Sequence, residues 1–121
     1  MMKSLLTVSA IFEFAIGIGL LLMPAALTPL LLGYTIQDPA VKIICGITGA
    51  ALMSIAMACW MVRSVALQAK LMAKVLLFYN IVACLVLLFA VLGMSLTGIG
   101  LWPAIAAHAG LAVWCVVAFR N

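Results

Sequence analysis

The chain is poor in charge: Glu13 and Asp38 are its two acids, and with six basic residues they make up only 7% of 121 positions. A soluble domain carries about 25% charged residues, and a fold of this size leaves too much surface for so few to cover. A water-soluble globular domain is therefore excluded. Closely spaced cysteines are also lacking. The four thiols, at Cys45, Cys59, Cys84 and Cys115, form no CxxC pair, so neither a zinc pattern nor the disulfide framework of a small secreted domain is expected. They read as small packing residues. With His108 as the single histidine, a haem or metal centre would lack a second strong ligand, so neither a metal nor a cofactor is expected. No nucleophile elbow, phosphate loop, nucleotide fingerprint or HExxH pattern occurs.

What the chain has instead is apolar length. The apolar set makes up 70% of residues and the mean hydropathy is +1.48. Four long runs stand out: Leu5 to Met23, Ile43 to Val62, Val75 to Gly93 and Ile99 to Phe119. At about 1.5 Å rise per residue each can cross a hydrocarbon core about 30 Å thick. None alternates in the way a membrane β-barrel strand does. The expected fold class is all-α: one domain over residues 1–121, a polytopic membrane protein with four transmembrane helices in a bundle. Lys3 and the segment Pro24-Ala25-Ala26 imitate a signal peptide, but the first apolar run is too long, contains an acid and precedes three more. It reads as an uncleaved span.

The segment "ALTPLLLGY" is too short to cross and too apolar for water. It reads as a short interfacial helix after the first span, with Thr28 as cap and Pro29 at its first position, resting on lipid or acting as a lid. Charge sets the orientation. Arg63, Lys70 and Lys74 occupy the expected turn between the second and third spans, whereas "MSLTGIGLWP" between the third and fourth has none. The positive-inside rule puts that turn and both termini in the cytoplasm. Asp38 and Lys42 sit together on the outer side and can neutralise each other or snorkel to the headgroups. The surplus of basic residues is a topology signal, and no nucleic-acid partner is expected.

Small and polar residues recur together on the spans. Gly46, Ala50, Ser54 and Ala58 stand four apart on the second; Ser9, Glu13 and Gly17 on the first; Ala104, His108 and Ala112 on the fourth, continued by Cys115; the third carries Asn80 with Ala83 and Cys84. Close helix approach in lipid favours small side chains, so each stripe is expected to face the bundle interior. Counted from the cytoplasmic ends, Glu13, Asn80 and His108 lie roughly 12, 15 and 17 Å deep, near one level. Tyr79 and Ser54 are close to it, although Tyr79 points about 100° away from Asn80.

An acid facing lipid is costly, so Glu13, Asn80 and His108 are expected to form a hydrogen-bonded interior network. Three roles remain open. The network can simply fasten helices in a structural or helper subunit. It can bind or translocate a small lipophilic or cationic molecule, with Glu13, Asn80, His108, Tyr79 and Ser54 as the site and Phe12, Phe14, Tyr79 or Trp114 as walls. Or Glu13 and His108 can serve as acid and base for proton transfer on a lipid-like substrate. Membrane lipids are the expected partners beside any such ligand, and a homodimer is left open.

Two family resemblances follow from these residues. Four spans with one carboxylate midway along the first resemble the small multidrug resistance transporters, which implies an antiparallel dimer using that acid for cations and protons. Only Glu13 carries over, and that family has no membrane histidine like His108. The stretches "EFAIGIGLLLMP" and "DPAVKIICGITGAA" resemble the small bacterial four-helix membrane proteins of the DoxX-like group, which implies a multi-pass four-helix domain in a bacterial cytoplasmic (inner) membrane and no particular chemistry.

Overall fold

In the computed structural model, which describes residues 1–120, five helices follow one another: α1 (Met2–Leu22), α2 (Pro24–Leu32), α3 (Pro39–Val62), α4 (Ala66–Leu92) and α5 (Leu101–Arg120). All but α2 are long and apolar enough to cross a membrane. Their outward residues are large and apolar, among them Ile43, Ile47, Phe78, Leu85, Phe89 and Leu92. Such an exterior suits lipid and not water. The chain is an all-α, four-span membrane bundle with one short extra helix.

The closest helix packing pairs α1 with α3 and α4 with α5, and the two pairs meet along a seam. Within the first pair the backbones touch: a Cβ built on Gly49 would stand 2.5 Å from the Gly17 carbonyl oxygen. Near the chain termini the seam is filled by Leu5, Leu6, Leu76 and the two buried thiols Cys59 and Cys115. All four cysteines are free.

The small-residue stripe expected on the second span does not face inward. The buried side of α3 is Gly49, Leu52, Ala56 and Cys59, while Ala50 and Ser54 are exposed and Gly46 and Ala58 only half-buried. The reason is geometric: steps of four residues drift about 40° each around a helix, so a long run of them spirals away from any neighbour. Alternating steps of three and four stay on one face. On α1 the shorter set Ser9, Glu13 and Gly17 is buried as expected, and on α5 the buried side includes His108 and Cys115, with Ala104 and Ala112 flanking it.

Two boundaries also differ from expectation. Basic residues Lys70 and Lys74 belong to no turn; α4 starts at Ala66, and both lie in its first three turns. A helix of 27 residues is about 40 Å long, so it outreaches the hydrocarbon core and carries its lysines into the headgroup zone. Helix α2 begins at Pro24, not at Thr28. Proline is tolerated at a first helical position, and it pushes Met23 out of helical geometry, which ends α1. Thr28 is no cap; its hydroxyl donates to the Pro24 carbonyl at 2.7 Å, and Pro29 is accommodated inside the helix. Asp38 does cap: its carboxylate accepts from the Ala40 amide at 2.8 Å and starts α3 behind Pro39.

At the end of the bundle away from the termini, α2 is fastened down. Thr28 is buried, and the Gly100 amide donates to the Leu30 carbonyl at 2.7 Å. The Gly98 backbone lies against the Leu31 carbonyl so closely that a Cβ there would overlap it. Touching α1, α3 and α5, this short helix bridges the two helix pairs.

Candidate functional site

Midway along the seam four polar side chains come inward from three spans. Glu13 on α1 is 1% exposed, Asn80 on α4 is 0% and His108 on α5 is 8%. Tyr79, beside Asn80, is half-buried and reaches the opposite neighbour: its phenol donates to Glu13 Oε2 at 3.2 Å. Asn80 Oδ1 lies 2.8 Å from His108 Nδ1. The expected single network is thus two pairs, Tyr79 with Glu13 and Asn80 with His108. Ring contacts join them, for the His108 imidazole meets Tyr79 and Phe12 edge to face at 5.6 and 5.8 Å between centroids.

The second pair fixes a tautomer. Asn80 Nδ2 donates to the Leu76 carbonyl at 2.8 Å, which leaves Oδ1 as the acceptor toward His108. Nδ1 of the imidazole must then carry the hydrogen, and in the neutral ring Nε2 is an acceptor. The first pair is incomplete. Glu13 Oε1 is buried and has no hydrogen-bond partner among the described residues, and the same is true of Ser9 Oγ one turn earlier on α1. Buried polar atoms without partners are uncommon because each forfeits its hydration.

A cavity of about 210 Å³ lies against this group, with Glu13, Tyr79 and His108 in its wall. Phe12, Ala83, Ala104 and Leu52 line it further, as does Leu31 of α2. Space exists there because Ala83 and Ala104 are small where the neighbouring turns carry larger groups. A drug-sized pocket starts at about 300 Å³, whereas a cavity of about 150 Å³ holds benzene. The available room therefore suits a molecule somewhat larger than one aromatic ring.

Of the five residues read from the sequence, the structure brings Glu13, Tyr79, Asn80 and His108 together and leaves Ser54 out. Ser54 is exposed on α3 and its hydroxyl donates to its own helix, at the Ala50 carbonyl, 2.9 Å away. Among the proposed aromatic walls, Phe12 and Tyr79 line the cavity. Phe14 is exposed, and Trp114 packs against the core nearer the termini. Leu31 and Ile16 are wall residues that sequence reasoning missed; the apolar "ALTPLLLGY" segment was the available signal for Leu31. No three His, Cys, Asp or Glu side chains among the described residues cluster as metal ligands do. No family model, no curated relative and no solved structure matches the chain.

Proposed function

We propose that the protein binds a small, largely apolar molecule that carries one N–H or O–H donor, in the cavity at the seam. The observation that carries this reading is Glu13, which lies in the wall of a space about 210 Å³ in volume and keeps one buried oxygen, Oε1, without a partner among the described residues. A turn of the carboxylate toward the cavity would offer an oxygen to a ligand donor, and the His108 imidazole stands in the same wall. An ammonium group would form a net-neutral pair with the carboxylate, the form in which a charge is tolerated inside a bilayer. The remaining wall would hold the ligand's apolar body by dispersion and burial.

A structural role is favoured by a different observation: the Tyr79 to Glu13 and Asn80 to His108 pairs each join two helices. The two readings separate under probes of the right size. Benzylamine, benzyl alcohol and toluene would be titrated into the purified protein in detergent while thermal unfolding is followed. Ligand binding predicts that benzylamine or benzyl alcohol stabilises the protein by about 1.4 kcal/mol at tenfold its dissociation constant, and that toluene at the same concentration stabilises it less. Ala83→Phe, which fills the space, should abolish the effect of all three, and Glu13→Gln should remove the preference for the amine. No stabilisation by any probe, or an effect that survives Ala83→Phe, overturns the ligand reading and leaves the fastening role.

A further inference from the structure

A second, wholly separate concavity lies on the outside of the α1–α3 pair, nearer the chain termini. It measures about 520 Å³ and is lined by residues 10, 11, 14 and 15 of α1 and 56, 57, 60 and 61 of α3, among them Ala10, Ala15, Ala56 and Trp60. Small residues on both helices make the hollow, and larger ones form its banks. Spanning residues 10–15 of α1 and 56–61 of α3, it runs for roughly 8 Å along the helix axes, about half a leaflet. In a membrane this face meets lipid.

A cation stacks on one wall residue of the groove, Trp60. Arg63, just past the end of α3, folds back so that its guanidinium carbon stands 3.4 Å from the centroid of the Trp60 ring, and Nη1 donates to the Trp60 carbonyl. That contact is a cation–π interaction and keeps the guanidinium beside a residue of the groove wall. One nitrogen is committed to the carbonyl, and the guanidinium has further N–H donors for an anion. The exposed charges nearby have one sign: Lys3, Arg63, Lys70, Lys74 and Arg120 lie at this end of the bundle, while Asp38 is at the far end of α3 and Glu13, level with the groove on α1, is buried toward the seam.

We infer that this groove is a site for an anionic phospholipid, with an acyl chain between α1 and α3 and the phosphate at Arg63. Charge complementarity selects the occupant. A zwitterionic lipid could fill the hollow equally well but brings a compensating cation to an already basic rim. Arginine also matches phosphate oxygens with paired donors. A second copy of the chain would bring its own basic rim against this one.

The test uses the full chain with Trp102→Phe and Trp114→Phe, so that Trp60 is the remaining tryptophan, in detergent micelles doped with lipid brominated on its acyl chains. Brominated phosphatidylglycerol should quench Trp60 with an apparent affinity about fivefold above that of brominated phosphatidylcholine, the effect of one basic residue on an anionic lipid. Arg63→Gln should bring the ratio to one. Ala15→Phe, which fills the groove at an exposed position, should weaken quenching by both lipids. Equal quenching in the parent protein would mean an unselective lipid annulus, and a ratio that survives Arg63→Gln would remove Arg63 from the site; either overturns the inference. Absence of quenching by both lipids, with Met57→Cys chains cross-linking to one another, would assign the groove to a second copy and equally overturn it.

Discussion

Tyr79 donates its phenol hydrogen to Glu13 Oε2 at 3.2 Å, so that α4 holds the acid of α1 across the seam between the two helix pairs. Asn80, the next residue, turns to α5 and holds His108. Adjacent helical positions point about 100° apart. Both directions are interior because α4 lies between two polar neighbours.

Removing the phenol should leave both Glu13 oxygens without a partner. Tyr79→Phe is expected to destabilise the protein by about 1 to 2 kcal/mol in detergent unfolding. The same substitution on a Glu13→Leu background should cost far less, since an apolar residue then has nothing to satisfy. Equal losses on the two backgrounds would show that the phenol does not act through the acid.

The Asn80 to His108 bond is open to a double-mutant cycle with Asn80→Leu and His108→Leu. Coupling of about 0.6 to 1.7 kcal/mol is expected, the range measured for hydrogen bonds between membrane helices. A coupling of zero would mean that the 2.8 Å contact contributes nothing net and that the imidazole is held by packing against Phe12 and Tyr79.

Much of this arrangement was legible in the sequence, and the exceptions have physical causes. Four spans follow from apolar length, and the meeting of Glu13, Asn80 and His108 follows from the cost of polar groups in lipid combined with depth along each helix. Ser54 lies outside the group because a residue's depth says nothing of its azimuth; it is exposed on α3 and faces away from the seam. The division into two pairs, with the acid held by Tyr79 and the imidazole by Asn80, depends on how α4 is rotated between its neighbours. No one-helix pattern carries that angle. Leu31 was hidden for a similar reason, since its place over the cavity depends on the path α2 takes after Pro24.

The α1–α3 contact makes a sharp comparison of neighbouring positions. Gly49→Ala would put a Cβ 2.5 Å from the Gly17 carbonyl oxygen, forcing the helices apart at an expected cost of about 1 to 3 kcal/mol. Ala50→Leu, at an exposed position, should stay within about 0.5 kcal/mol. Unfolding in detergent that ranks the two the other way round would contradict the backbone contact.

Orientation follows from the basic end of the bundle. With Lys3, Arg63, Lys70, Lys74 and Arg120 gathered there, that end should be cytoplasmic. Single cysteines introduced at exposed positions of a cysteine-free chain report it directly. An impermeant thiol reagent added to intact cells should label Thr97→Cys and spare Gln68→Cys; the opposite pattern would invert the protein.

Helix α2 supplies Leu31 to the wall of the cavity, from the end of the bundle away from the termini. Its attachment rests on backbone proximity: the Gly100 amide donates to the Leu30 carbonyl at 2.7 Å, and Gly98 has no room for a side chain beside Leu31. Gly98→Val should therefore lift α2 from the α4–α5 connection without touching the polar group at the seam. Hydrogen exchange at the Gly100 amide is expected to quicken about tenfold, equivalent to about 1.4 kcal/mol of lost local protection. Exchange at the amides of α1 and α4 around Glu13 and Asn80 should stay as it was. Benzylamine, if it binds at the seam, should then both associate and dissociate faster at a similar affinity, because a cover has been loosened and the wall groups kept. Unchanged exchange at Gly100 would show that α2 is not held by this contact. Faster exchange with unchanged probe kinetics would show that molecules reach the cavity from the lipid, between the helix pairs, rather than past Leu31.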